Sequence, residues 1–125
     1  TRFGVGNDLL ENAKNIKRIL CPEKNAYDKY NEILAVCKEQ NKDALFLLAL
    51  GPTATVLAYD LCNEGFQAID IGHLDIEYEW FLQHATKKCA VANKWVNETD
   101  DIVTNENDTL HDDEYENSII CEIKI

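Results

Sequence analysis

Three carboxylates, Asp75, Glu77 and Glu79, stand two positions apart directly after Gly72-His73. Hard oxygen ligands of this kind suit Mn²⁺ or Mg²⁺ with waters and a diphosphate completing the shell. Earlier in the chain, Leu50-Gly51-Pro52-Thr53-Ala54-Thr55 closes an apolar run and opens a helix. Gly51 permits close backbone approach there, and amides beyond Pro52 can meet a phosphate, at roughly 0.3 to 1 kcal/mol per exposed charge. Thr53 or Thr55 adds a hydroxyl donor. The spacing is neither a dinucleotide-binding glycine loop nor a P-loop, since no Lys-Ser/Thr follows.

A plainer reading accounts for each motif. Acids at a helix start are favoured by its dipole, so Asp75 can cap while Glu77 and Glu79 fill the first turn. Thr53 can cap the other helix and Gly51 only make the turn. On a regular helix Asp75 and Glu79 share a face and Glu77 points away. One ion can then be held by Asp75 with Glu79, or by Asp75 with Glu77 in an irregular turn. His73, at a strand end, suits a phosphate, a sugar hydroxyl or a backbone carbonyl. Asp70 interrupts Ala68, Ile69 and Ile71 and is expected as a buried carboxylate in need of donors, orienting His73 or a neighbouring loop. Lys24 and Asn25 are placed at a strand's C-terminal end, where they can meet a diphosphate. Lys17 reads as solvated, Asp60 as an exposed or helix-packing acid, and His84 and His111 as surface residues.

The elements that must position these groups alternate. Ile16 to Cys21 reads as a strand stopped by Pro22, and Ala26 to Gln40 as an amphipathic helix with Tyr27, Tyr30, Ile33, Leu34 and Cys37 at helical spacing. Asp43 to Leu50 is continuously apolar, the pattern of a strand covered on both faces. Pro52 to Asn63 is the next helix, ended before Gly65, and Phe66 to Gly72 the third strand. Asp75 to about His84 is a helix with Ile76, Trp80 and Phe81 inward, Lys94 to Glu98 a short turn, and Ser118 to Ile125 a last, edge strand. Right-handed crossovers make the first three strands parallel and bring their C-terminal ends to one edge, where open α/β folds bind nucleotides. The fold class is α/β: a Rossmann-like three-layer arrangement around a mainly parallel sheet of three to four strands. So small a sheet suggests part of a larger domain.

Composition narrows the partners. The 125 residues allow one domain, carry a net charge of −11, and place nine acids and no Lys or Arg between Glu98 and Glu116. That run, about 99–116, reads as a solvated acidic loop. The charge disfavours nonspecific binding to nucleic acid or anionic membrane, which require clustered bases. No apolar run approaches a membrane span, and the N-terminus has no basic-then-apolar leader, so a soluble, cytoplasmic protein is expected. Cys21, Cys37, Cys62, Cys89 and Cys121 form no close pairs and read as mostly buried, reduced thiols. Asn97-Glu-Thr and Asn107-Asp-Thr match glycosylation acceptors by chance composition.

Three segments, TRFGVGNDLLENAKNIKRILCPEKNAYDKY, LALGPTATVLAYDL and GFQAIDIGHLDIEYEWF, with KWVNE more loosely, resemble the C-terminal half of the GT-D fold family of bacterial glycosyltransferases. The resemblance covers nearly all of residues 1 to 98. It implies transfer of a sugar, typically glucose, from a nucleotide diphosphate donor to a glycan or glycoprotein acceptor in surface polysaccharide or glycoprotein assembly, with a divalent metal. Carried onto this chain, Gly51, Pro52, Thr53 and Thr55 belong to the donor pocket, and His73, Asp75, Glu77 and Glu79 line the active site. Glu98 is a weaker candidate acid. The family's N-terminal half carries an Arg-Phe-Gly and an Asp-x-Glu motif that serve as metal or donor site. Here Arg2-Phe3-Gly4 is followed by Val5-Gly6-Asn7-Asp8 instead and matches the mid-domain segment. The alternative is a non-catalytic α/β nucleotide-binding or interaction module.

Overall fold

The computed structural model describes residues 2–92, 94 and 113–125. Two compact units divide the chain, one of Ile19–Gly72 with Cys121–Ile125, the other of Thr1–Arg18 with His73–Ile120. In the described residues the chain runs β1 (Arg18–Leu20), a 3-10 turn (Ala26–Lys29), α1 (Tyr30–Lys38), β2 (Leu45–Leu48), α2 (Pro52–Asn63), β3 (Gln67–Asp70), α3 (Leu74–Leu82), α4 (Asp113–Ser118) and β4 (Ile119–Glu122).

The first unit is organised by the β2–α2–β3 crossover. β2 and β3 are parallel, in the register Leu45 with Gln67 through Leu48 with Asp70, so both strands end at one edge. The Ile71 amide extends the ladder to the Leu48 carbonyl at 3.0 Å. Pro52 occupies the first turn of α2, where a missing amide costs no hydrogen bond. Past Asn63 the chain leaves through Gly65, whose φ of 89° is open to glycine at little strain. Ala54, Leu57 and Leu61, at helical spacing, are fully buried with Ile33 and Cys37 of α1, Leu48, Phe66 and Ile123. Phe66 meets Phe46 edge-on at 5.5 Å. Asp60 is a helix-packing acid: the Tyr30 hydroxyl donates to it, which ties α1 to α2. Desolvation first, and that hydrogen bond second, push the Tyr30 phenol well above its usual range.

Several expectations change in detail. The helix foreseen from Ala26 to Gln40 is a 3-10 turn followed by α1, with Asn25 left-handed at their start. β1 does not join β2 and β3: it pairs with β4 in a separate two-stranded sheet, and the Ile123 amide donates to the Leu20 carbonyl at 2.8 Å. β2 is covered on one face only, because Phe46 and Leu48 turn to the helices while Leu45 and Leu47 are exposed. The third layer of the expected sandwich is therefore not supplied by the described residues of this unit.

In the second unit, α3 buries Ile76 against Val91 and Trp80, and the Trp80 indole donates to the Cys89 carbonyl at 2.8 Å. Phe81 was expected inward, yet it is exposed and stacks on Tyr78 at 6.1 Å. The reason is the helix's other face, which turns Asp75 and Glu79 inward. Arg2 and Arg18 both lie over the Tyr115 ring, at 5.0 and 5.2 Å, and Arg18 donates to Ser118 Oγ and the Phe3 carbonyl. The tail of the expected acidic loop is thus helical, as α4, while residues 101–112 and the turn beyond Lys94 lie outside the described residues.

The thiols are less uniformly buried than expected: all five are free, Cys37 is buried, Cys62 exposed and the others between. Burial pushes Cys21 up to about 11, helped by Cys121, and Cys37 up to about 12, helped by Cys21. Thiolate being the reactive form, Cys62 is expected to react with iodoacetamide at pH 8 well before Cys21 and Cys37, whose labelling rises only as pH climbs towards those values; peptide mass spectrometry against time checks the order. Leu57→Ala is expected to cost about 2 to 5 kcal/mol in urea unfolding, against about 0.5 kcal/mol or less for Tyr59→Ala on the outer side of α2.

Candidate functional site

The start of α2 and the end of β3 form one cluster within the first unit. Gly51 is the residue before the helix, at φ 56°, ψ −145°, a conformation nearly confined to glycine. A methyl group there would meet nothing within 4 Å, so the requirement is backbone conformation and not room. No side chain caps α2, and Thr53 is buried, so the expected Thr53 cap is absent. Thr55 is exposed and donates its hydroxyl to Asp70 Oδ2 at 2.9 Å, while the Gly72 amide donates to Asp70 Oδ1 at 3.0 Å. Asp70 is therefore an exposed acid at the strand end, not a buried one. Asp70 shares the side of β3 that Ala68 occupies, but it stands at the last position of the strand, beside the exposed Thr55 hydroxyl. Lys24 and Asn25 are exposed after β1, whose sheet is a different one from β2–β3.

The second cluster lies around α3 in the other unit. Asp75 is 5% exposed. Its Oδ1 accepts from the Gly4 amide at 2.9 Å, Asn7 Nδ2 at 3.0 Å and Lys94 Nζ at 2.9 Å, and its Oδ2 accepts from Lys94 at 2.7 Å. Glu79 Oε1 accepts from the same two side chains, Asn7 at 2.8 Å and Lys94 at 3.2 Å. Asp75 and Glu79 thus do share a face, held together by one ammonium and one amide, and Glu77 is exposed on another. α3 begins at Leu74 with His73 preceding it and no side-chain cap, so Asp75 is not the cap residue. His73 is exposed at that helix start. The Tyr78 hydroxyl donates to Asp8, which raises the phenol's pKa and fixes a second point of the N-terminal loop to α3.

This geometry bears on the expected metal. Asp75 and Glu77 diverge by about 200° around the helix, and both Asp75 oxygens already face the Lys94 ammonium. Among the described residues no group of three or more His, Cys, Asp and Glu is placed to hold an ion. The Asp75–Glu77 pair does not fit a divalent cation here. Asp75 instead joins Glu79 in a structural role, two carboxylates against the one Lys94 cation with the Gly4 and Asn7 amides as further donors, as burial of charge demands. Sequence reasoning missed Gly4, Asn7 and Lys94 as partners, although the lone Lys94 beside apolar Val91, Ala92 and Trp95 was a usable signal. Glu98 and His111 lie outside the described residues.

A crossover helix between parallel strands, with a glycine turn and an oriented acid at the strand ends, defines an α/β crossover unit. Solved structures place it more narrowly. The chain superimposes with a TM-score of 0.88, at 44% identity over 98% of its length, on a structure described as the highly conserved domain of unknown function 1792 with a distinct glycosyltransferase fold. A new glycosyltransferase of the same domain type from Streptococcus sanguinis matches at 43% identity and the same TM-score. The family described as glycosyltransferase GT-D fold matches residues 1–99, and the chain belongs to that family. Curated relatives include a probable glycosyl transferase Gly of Streptococcus gordonii, 51% identical over 94 residues, and glycosyltransferase GlyD of Streptococcus pneumoniae serotype 4, 44% identical over 94 residues. Those matches take in 75% of this chain but only 14% and 12% of the two relatives, and the chain spans 44% and 45% of the two solved chains.

Lys94→Met is expected to lower stability by about 3 to 5 kcal/mol, because the buried Asp75 and the half-buried Glu79 lose their cation, and Glu77→Ala by about 0.5 kcal/mol or less. Urea unfolding of Lys94→Met, Asp75→Asn and the double variant checks this: the double variant should lose less than the sum of the two. Gly51→Ala is expected to cost about 1 to 3 kcal/mol from backbone strain alone, read in the same way.

Proposed function

We propose that the chain is the C-terminal portion of a glycosyltransferase that moves a sugar, glucose by its resemblance, from a nucleotide diphosphate donor to a glycan or glycoprotein acceptor in cytoplasmic assembly of surface polysaccharide or glycoprotein. The observation that carries this reading is the Gly51 turn and α2 start beside the Asp70 carboxylate at the common end of two parallel strands, in a chain of the GT-D family. No helix among the described residues is long and apolar enough to cross a membrane.

In this reading the amides at the start of α2 face the donor's diphosphate, and their dipole favours the charge that builds on it as the glycosidic bond breaks. Asp70, already oriented by Thr55 and the Gly72 amide, accepts hydrogen bonds from the donor's ribose hydroxyls, as an acid near a strand end does in related nucleotide folds. Lys24 and Asn25, of the same unit, are kept as donors to the diphosphate. Asp75 and Glu79 contribute by holding Gly4 and Asn7 against α3. The Mn²⁺ or Mg²⁺ that the resemblance implies would neutralise the departing diphosphate. Asp75, engaged by Lys94, is not proposed among its ligands.

The test is transfer of radiolabelled glucose from uridine diphosphate glucose by the full-length protein with Mn²⁺. Asp70→Ala is expected to raise the donor KM about tenfold, the loss of hydrogen bonds to a charged group, while Glu77→Ala leaves turnover unchanged. Full activity in Asp70→Ala would overturn the donor-site assignment. Calorimetry of this chain alone with the same donor addresses the non-catalytic module: binding without turnover is its signature.

A further inference from the structure

The outward side of α3 is apolar. Leu74, Tyr78, Phe81 and Leu82 stand at positions i, i+4, i+7 and i+8, which is one stripe of a helix surface. Leu74, Phe81 and Leu82 are 45%, 70% and 46% exposed, because the other side of the helix carries Asp75, Ile76, Glu79 and Trp80 inward. The Phe81 ring lies nearly parallel to that of Tyr78, at an interplanar angle of 23°. Tyr78 is itself held in place, since its hydroxyl donates to Asp8. Asp8 and Glu11 are exposed on the same loop, and Glu11 is near enough for its charge to act on the Tyr78 phenol. Two oriented rings therefore stand beside exposed carboxylates, all within one unit.

We infer that this stripe is a sugar-binding surface, on which a neutral hexose of the acceptor glycan lies flat against Phe81 and Tyr78 while its rim hydroxyls donate to Asp8 and Glu11. An aromatic face is electron-rich and meets the polarised C–H groups of a pyranose, and an ionised carboxylate only accepts, which suits hydroxyl donors at the sugar's edge. The same acids tell against other occupants. With Glu77 on the flank of the stripe they repel an anionic membrane or a phosphorylated ligand, and Lys87 and Lys88 beyond the helix are too few to offset them. An apolar helix or a second copy would leave Asp8 and Glu11 against an interface that gives them no donors. Area argues the same way: the nine residues of α3 make a face about 13.5 Å long and about 10 Å wide, roughly 140 Å², against about 800 Å² per partner in a stable dimer. A pyranose ring needs no more than that. Naming the glycan as the acceptor rests on the glycosyltransferase reading, whereas the binding of sugar does not.

The experiment is saturation-transfer-difference NMR of the full-length protein, with aromatic protons irradiated and methyl β-glucoside, methyl β-galactoside and cellotetraose as probes. Saturation is expected on the C–H protons of one ring face of at least one probe. Phe81→Ala is expected to weaken that probe's binding about tenfold, the scale of one lost aromatic stacking contact, and Phe81→Trp to keep it. Phe81 is an exposed side chain, so the alanine variant retains its fold. No saturation on any probe, or equal binding by the wild type and Phe81→Ala, overturns the inference. So does sedimentation with phosphatidylglycerol vesicles that Phe81→Ala abolishes, which assigns the stripe to a membrane, or a dimeric mass that it abolishes, which assigns it to a second copy. Hydrolysis of uridine diphosphate glucose by the same proteins keeps the two readings apart. Sugar binding that depends on Phe81 without any donor hydrolysis counts against the glycosyltransferase reading and upholds the surface, while hydrolysis without such binding does the reverse.

Discussion

The crossover from β2 through α2 to β3 is the constraint on which the first unit depends. A helix that buries Ala54, Leu57 and Leu61 completely must lie along the strands that flank it, and the two strands can then only run parallel. Parallel pairing in turn puts the Gly51 turn and the Asp70 carboxylate at one edge. The Thr55 to Asp70 hydrogen bond follows from that edge and not from any local motif. Chemistry and packing are thus set by the same few aliphatic contacts.

The second unit is held by charge to a degree unusual for so small a structure. Lys94 faces Asp75 and Glu79, and Asn7 bridges the same two acids, so the N-terminal loop, α3 and the segment around Lys94 meet at one buried point. Burying an ammonium is costly unless carboxylates and amides surround it, and Asp75 and Glu79 supply those carboxylates to Lys94. This geometry explains why α3 turns its acids inward and leaves Phe81 and Leu82 exposed, the reverse of the amphipathic habit. It also explains why an acidic triplet that looks like a metal motif is divided between a structural pair and a solvated Glu77.

Much of the architecture was legible in the residues. α2 was read with its bounds, since proline at its start and glycine past its end are strong local signals, and β2, β3 and α3 were each placed to within a few residues. The resemblance carried by LALGPTATVLAYDL and GFQAIDIGHLDIEYEWF led to the family to which the chain belongs. Long-range partners were not legible. The contacts of Asp75 with Gly4 and Asn7 span 71 and 68 residues, a separation at which no periodicity speaks. β1 pairs with β4 for a similar reason: strand character is local, whereas the choice of partner is not.

The sequence by itself determined the α/β alternation, the parallel β2–α2–β3 unit and the glycine turn, because hydrophobic period, proline and glycine act within a turn or two of the backbone. Tertiary structure alone decided which carboxylates are buried, what satisfies them and which strand face stays open. Desolvation and hydrogen bonding depend on neighbours brought from far along the chain, and the free energy of an acid is set by those neighbours rather than by its own place in a motif.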